Sequence, residues 1–176
     1  MYLSRYKLLR KAYEKADLKT DPDYAEFLKE EKDWLQDYCL FMAIKNDQKG
    51  ICWIDWPEEL KNRHSKAVKE AEKELAEEIE FYRFQQYCFT TQWRKLKAYA
   101  NKKDISIIGD VPIYVALDSS DAWANPEMLQ FDEDYDPKAV AGCLQMLFQQ
   151  PDSCGEIHCM TGRHLRKTVM AGGCSE

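Results

Sequence analysis

The stretch from Ile105 to Pro126, ISIIGDVPIYVALDSSDAWANP, limits the possible folds more than any other part of the chain. Its opening run, Ile105 to Ile108, is apolar and β-branched, too short for a helix, and closed off by Gly109 and Pro112. A run without polar alternation reads as a strand covered on both faces, as in a parallel sheet. Asp110 stands at the C-terminal end of that predicted strand. In parallel α/β architectures this end is where ligands and functional polar groups gather. A long amphipathic helix is expected just upstream. Helix, buried strand, acidic residue and long polar loop make one unit of a β/α barrel or a doubly wound sheet.

The rest of the chain is predicted to be mostly helical. Tyr2, Tyr6, Leu9 and Tyr13 recur at three- and four-residue steps, the face of a first helix over Leu3 to Ala16. Asp21 is placed to cap a second helix, with Pro22 at its first position, that runs to about Lys45. Phe27, Trp34, Leu35, Tyr38, Phe41 and Met42 form its apolar stripe. Asn46 to Gly50 reads as a loop, ICWIDWP as an extended or loop segment, and Pro57 to Asn62 as a helical turn. Ser65 is the expected cap of a third helix that carries Val68, Ala71, Leu75 and Ile79 inward, with Lys and Glu paired on its outer face. The aromatic run EFYRFQQYCFTTQW favours a kink or a restart. A last helix, about Gln85 to Lys102, then turns Phe89, Trp93, Leu96 and Tyr99 toward a core. Trp53, Trp56 and Trp93 offer faces suited to sugar rings, but core packing is the expectation for them.

Charge and composition exclude several classes. The 176 residues carry a net charge of −6 and no basic block, which argues against nucleic acid and anionic membrane surfaces as partners. No apolar run approaches the ~20 residues of a membrane span, and the charged, amphipathic N-terminus has no secretory pattern. A 45% hydrophobic composition fits a packed globular domain. Cys39, Cys52, Cys88 and Cys143 are scattered, as expected of thiols in a reducing cytoplasm. The acidic run Glu70 to Glu80 reads as a solvated helix face without metal-ligand spacing. Ser119 lacks a neighbouring base for nucleophilic work. DSSDAWANP lacks the further ligands and glycine of a calcium loop, so capping is its expected role.

GDVPIYVALDSSDAWANP resembles a segment of the 4-α-glucanotransferases, also called amylomaltases or disproportionating enzymes. The likeness extends through DWLQDYCLFMAIK, WPEELKNR, FQQYCFTTQWRKLKAYAN and FDEDYDPKAVAGC, collinear over roughly Leu3 to Cys143. Asp104 departs from the glycine frequent in the family. It falls at a helix C′ position, where Asp tolerates the left-handed conformation. The resemblance implies an α-rich fragment of a β/α (TIM-type) barrel: a helical subdomain plus one helix-strand unit around Ile105 to Ile108. It implies transfer of α-1,4-glucan segments between maltooligosaccharides by a retaining mechanism with two carboxyl groups and no cofactor. Those carboxylates lie beyond the matched segment, so no residue here is expected to be catalytic and the chain alone is expected to be inactive. Asp110 is carried over as a sugar contact at the active-site rim, with Tyr114 and Asp118 as further substrate-binding candidates.

After Cys143 the likeness stops, which divides the chain into a partial barrel domain, 1–143, and a tail, 144–176, expected to be disordered. The family continues with a sequence like PPDAFSATGQLWGNPLYDW, whereas this chain reads LQMLFQQPDSCGEIHCMTGRHL. Back-translated and read one base over, the tail can spell the family sequence without contradiction. A base lost from a cytosine run just after the Cys143 codon explains both. Cys154, His158, Cys159 and His164 resemble zinc ligands by type, but their spacing matches no ordinary zinc pattern and a shifted frame accounts for them. Two other readings stand beside the enzyme fragment: a non-catalytic helical interaction or sugar-binding module, and an acidic-loop hydrolase of another barrel class.

Overall fold

The computed structural model describes residues 2–110, 114–132, 135, 138 and 157–159, with the backbone alone at 2–4, 114 and 157–159. The elements in order are α1 (Tyr2–Lys15), α2 (Pro22–Glu30), α3 (Lys32–Asp47), a 3-10 turn (Trp53–Asp55), α4 (Glu58–Lys61), α5 (Ser65–Glu74), α6 (Ala76–Asn101), β1 (Tyr114–Ala116), α7 (Ser120–Ala124), a second 3-10 turn (Pro126–Met128) and β2 (Ile157–Cys159). They divide into two compact units: Met1–Ile51 with Asn62–Gly109, and Cys52–Lys61 with Asp110–Glu176.

The first unit is a helical cluster built on α3 and α6, its most extensive pair. From α3, Leu35, Cys39, Leu40, Phe41, Ala43 and Ile44 are buried; from α6, Ile79, Phe81, Tyr82 and Phe84. Each large side chain removed from water contributes about 1.5–3 kcal/mol before the entropy of ordering is subtracted. Tyr6 and Tyr13 of α1 meet Phe81 edge-on, with ring centroids 5.2 and 5.6 Å apart. The Arg10 guanidinium lies 3.8 Å over the same ring and pairs with Glu78. Tyr24 is buried and donates to Glu80 at 2.5 Å, and Arg83 pairs with the other oxygen of that carboxylate. The acidic run is therefore solvated on one side only.

Local signals in this unit act as expected. Asp21 caps α2 by accepting from the Asp23 and Tyr24 amides, with Pro22 at the first position. The loop after α3 turns through Lys49 and Gly50, at φ 57° and 82°, and the Gly50 amide returns to the Lys45 carbonyl. Asp104 is left-handed, φ 58°, where α6 ends and the Ile105 amide bonds the Ala100 carbonyl. Other boundaries differ. The helix expected from Pro22 to Lys45 is broken at Glu31, which sits at φ −98°, ψ 11°. Ser65 does not cap α5; it is its first residue, after His64. No kink interrupts the aromatic run, because α6 is continuous for 26 residues and the break falls earlier, at Leu75. Glu30, Glu31 and Lys32, like Leu75, are ordinary helix formers, so propensity accounts for neither break.

Two expectations of burial fail. Phe89, Trp93, Leu96 and Tyr99 are 65%, 41%, 54% and 64% exposed, not turned into a core. Ile105 to Ile108 forms no strand: the segment has no regular secondary structure, and Ile108 is 93% exposed. A strand pattern specifies which faces want cover. It forms a ladder only where neighbouring strands supply hydrogen-bond partners, and among the described residues none flanks this run.

In the second unit, Trp53, Trp56, Ala122, Trp123 and Leu129 are buried. Here the expectation of core packing holds for Trp53 and Trp56, as it does not for Trp93. The ICWIDWP segment coils into a 3-10 turn, and the turn expected after Pro57 is α4. β1 pairs antiparallel with β2, Val115 opposite His158. The rest of the tail, with Cys154 and His164, lies outside the described residues, as does Cys143.

Candidate functional site

The three sequence candidates lie in the second unit. Asp110 is exposed and precedes residues outside the description. Tyr114 opens β1, and Asp118 sits exposed in the bend that joins β1 to α7. The structure thus brings Tyr114 and Asp118 onto one strand-to-helix connection and leaves Asp110 apart from it along the chain.

That connection is held from both ends. The Trp53 indole N–H donates to the Leu117 carbonyl at 2.7 Å, immediately before Asp118. Ser119, immediately after it, accepts from the Ala122 amide at 3.2 Å and donates its hydroxyl to the Ala116 carbonyl at 2.7 Å. Ser119 is therefore the N-cap of α7, and its hydroxyl is committed. An expected capping role for DSSDAWANP is met, with a helical turn inside the predicted loop. Beneath it, Trp123 donates to the Leu60 carbonyl at 3.0 Å and meets Trp56 with ring centroids 5.6 Å apart. Trp53 meets Tyr135 at 5.1 Å, and the Lys61 ammonium lies 5.2 Å over that Tyr135 ring.

This arrangement presents a carboxylate to solvent on a backbone fixed by a buried indole. A fixed, exposed carboxylate accepts hydrogen bonds from paired hydroxyls and does so without the entropy loss of ordering a loose loop. The described residues bring no three His, Cys, Asp or Glu side chains together in a metal-binding group. Sequence reasoning missed Trp53, Lys61 and Tyr135 as supports of this loop. Trp53 and Leu117 are 64 residues apart, and no local pattern links them.

Two surface depressions lie among the described residues of the first unit, neither lined by a sequence candidate. The larger, about 670 Å³, runs along Tyr13 to Lys19 beside Glu77 and Glu80. Glu80 is already held by Tyr24 and Arg83, so the cluster is not a poised acid pair. The smaller, about 260 Å³, lies between Phe27, Tyr87 and Arg94, and Arg94 is already paired with Glu30 and Glu31.

Residues 1–144 match the family model described as 4-alpha-glucanotransferase. The chain is 44% identical to the 4-alpha-glucanotransferase of Clostridium butyricum over 151 residues, 85% of this chain and 31% of that protein. It is 42% identical to the 4-alpha-glucanotransferase of Thermus thermophilus over 146 residues, 81% of this chain and 29% of that one. An amylomaltase from Streptococcus agalactiae, solved in complex with acarbose, superposes with a TM-score of 0.82 at 32% identity, over 95% of this chain and 34% of its own. The chain spans about a third of the length of these relatives.

Proposed function

Because this chain belongs to the 4-alpha-glucanotransferase family, we propose that it supplies the helical portion and a sugar-binding rim loop of an enzyme that transfers α-1,4-glucan segments between maltooligosaccharides. The family match over residues 1–144 carries this reading. The acarbose-bound amylomaltase supports an oligosaccharide as the ligand class. Asp110, Tyr114 and Asp118 bind sugar hydroxyls in this reading, with Trp53 and Ser119 holding the Asp118 loop in place. The chemistry is a retaining double displacement, with an acceptor hydroxyl taking the place of water. Its two carboxylates belong to parts of the enzyme outside the matched segment.

The 176-residue chain alone therefore leaves maltotriose unchanged. Incubation followed by chromatography tests this, and release of glucose with longer oligomers would refute it. Binding is a separate matter. Titration with maltotriose should show saturable association, weakened roughly tenfold by Asp118→Asn through loss of a charged hydrogen bond. An unchanged affinity removes Asp118 from the site.

The same reading separates residues 144–176 from the domain as out-of-frame sequence. The family match ending at 144 supports it. Sequencing the coding DNA tests it: the shifted register should stay open after the Cys143 codon. A cytoplasmic location belongs to this reading too. Among the described residues no helix is long and apolar enough to cross a membrane.

A further inference from the structure

A short strand offers a neighbour its backbone before its side chains. Along β1, Tyr114, Val115 and Ala116 carry amide and carbonyl groups that need partners, and an edge left open is a liability for association. Here the partner is Ile157–Cys159, antiparallel, with Tyr114 opposite Cys159, Val115 opposite His158 and Ala116 opposite Ile157. That segment lies beyond residue 144, where the family match ends. Its sequence suits a strand on local grounds alone. Glu156 to Thr161 contains no proline, includes the β-branched Ile157 and Thr161, and is bounded by Gly155 and Gly162. The register places Tyr114, Ala116, Ile157 and Cys159 on one face of the ribbon, and Val115 and His158 on the other.

We propose that β1 is a strand-addition site, and that this chain fills it with its own segment Ile157–Cys159 as a strap at the start of the Asp118 loop. Main-chain hydrogen bonds supply most of the affinity in strand addition, so an occupant needs an extended backbone and not the family's sequence. The occupant is the same chain and not a second copy. A tethered strand competes at an effective concentration of about millimolar, well above that of another copy in dilute solution, and the cost of closing the intervening loop grows only slowly with its length. The strap acts just ahead of the bonds that hold Asp118. Ala116, the last residue of β1, receives the Ser119 hydroxyl on its carbonyl, and Leu117 receives the Trp53 indole. An added strand of this kind is separable: Trp53, Trp56 and Trp123 are buried without it forming part of their core. The proposal concerns backbone pairing alone and rests on neither the sugar-binding reading nor the origin of residues 144–176.

Register and separability are tested on the full 176-residue chain. For register, Tyr114→Cys and Val115→Cys are each oxidised with glutathione disulfide at low protein concentration, and the disulfides are mapped by peptide mass spectrometry. Directly opposed residues of an antiparallel pair have Cα atoms about 4.5–5.5 Å apart, within the span of a disulfide. The new thiol of Y114C should bond Cys159 at least about tenfold more than that of V115C does, because Val115 faces the other side of the ribbon. Equal yields overturn the proposal, as does a Y114C thiol that bonds other cysteines instead. A Cys159 bond formed only between two chains assigns the edge to a second copy and also overturns it. For separability, hydrogen exchange across Tyr114–Ala116 is compared in the parent and in I157P/H158P. Successive amides of a strand point alternately toward and away from the neighbour, so one of the two prolines removes a pairing donor in either phase. Exchange across Tyr114–Ala116 should quicken at least about tenfold, while the Ala122 amide, bonded to the Ser119 Oγ, keeps its protection. Unchanged exchange across Tyr114–Ala116 overturns the proposal. So does an equal loss at Ala122, which would make Ile157–Cys159 part of the unit's core and not an addition to it. Cross-linking leaves every backbone donor in place, so it decides the matter even where I157P/H158P does not fold. Neither readout involves sugar, so both stand apart from the binding and transfer assays.

Discussion

The two halves of α6 are alike in composition and opposite in environment. In the N-terminal half, Ile79, Phe81, Tyr82 and Phe84 are packed under α1 and α3. In the C-terminal half, Phe89, Trp93, Leu96 and Tyr99 face water. Hydrophobic periodicity is the same signal in both. It records which face a helix is meant to bury, and it is silent on whether the covering element belongs to the same stretch of chain.

Paired truncations at the two ends should separate the halves most strongly. Phe81→Ala removes a fully buried ring that holds Tyr6, Tyr13 and Arg10, and should cost about 4 kcal/mol in a urea melt. Phe89→Ala should change the same midpoint by less than about 0.5 kcal/mol. Equal losses would erase the contrast.

A smaller effect is expected where α2 meets the packed half of α6, at the bond from Tyr24 to Glu80. Burial, and then the hydrogen bond to Glu80, pushes the Tyr24 hydroxyl well above its ordinary value of 10.0. The folded state thus holds this proton more tightly than the unfolded chain does. Its contribution is complete below about pH 10 and is lost as pH rises toward the folded value. Tyr24→Phe should lower stability by about 1.5 kcal/mol at neutral pH and flatten the alkaline decline of the melting curve. An unchanged alkaline limb would separate Tyr24 from that decline.

Tyr87 marks the join itself. It donates to Asp21 at 2.8 Å, and that bond, ahead of the two amide bonds from the α2 N-terminus, lowers the Asp21 carboxyl below its ordinary 3.8. The sign is opposite to that of Tyr24. This contribution is present above the unfolded carboxylate value and disappears as pH falls through the folded one. Asp21→Asn should therefore melt slightly earlier than the parent at pH 7 and together with it near pH 2. A gap that persists in acid would mean the effect is not ionic.

Thiol labelling draws the same boundary without altering stability. Cys39, buried in α3, has its pKa pushed up to about 12 by burial. Cys88, on α6 at the edge of the packed half, is only partly covered. Cys88 should react at least about tenfold faster with a disulfide reagent at pH 8. Comparable rates would show the packed half opening as freely as the exposed one.

What could be read from the sequence follows the range of each interaction. The Asp21 cap and left-handed Asp104 each depend on a few adjacent residues, and each was legible; capping within DSSDAWANP was legible too, but the helical turn that Ser119 starts was not. The breaks at Glu31 and Leu75 were not, since no glycine or proline marks them. The Trp53 bond to Leu117 was invisible because sequence proximity does not encode it. Ile105 to Ile108 reads as a buried strand and is exposed because its pattern refers to strands that the described residues do not contain. For the candidate site, Asp110, Tyr114 and Asp118 were candidates only through the family likeness, since nothing in their own pattern points to a ligand. The backbone support beneath Asp118 emerged only from the fold.

The unbroken course of α6 has a mechanical consequence. At about 1.5 Å of rise per residue, Phe89 and Tyr99 are held about 15 Å apart along a rod whose other end is anchored in a packed core. The bare half keeps its spacing before anything arrives to use it. Whatever settles there meets a ruler already graduated, and forfeits little freedom in matching it.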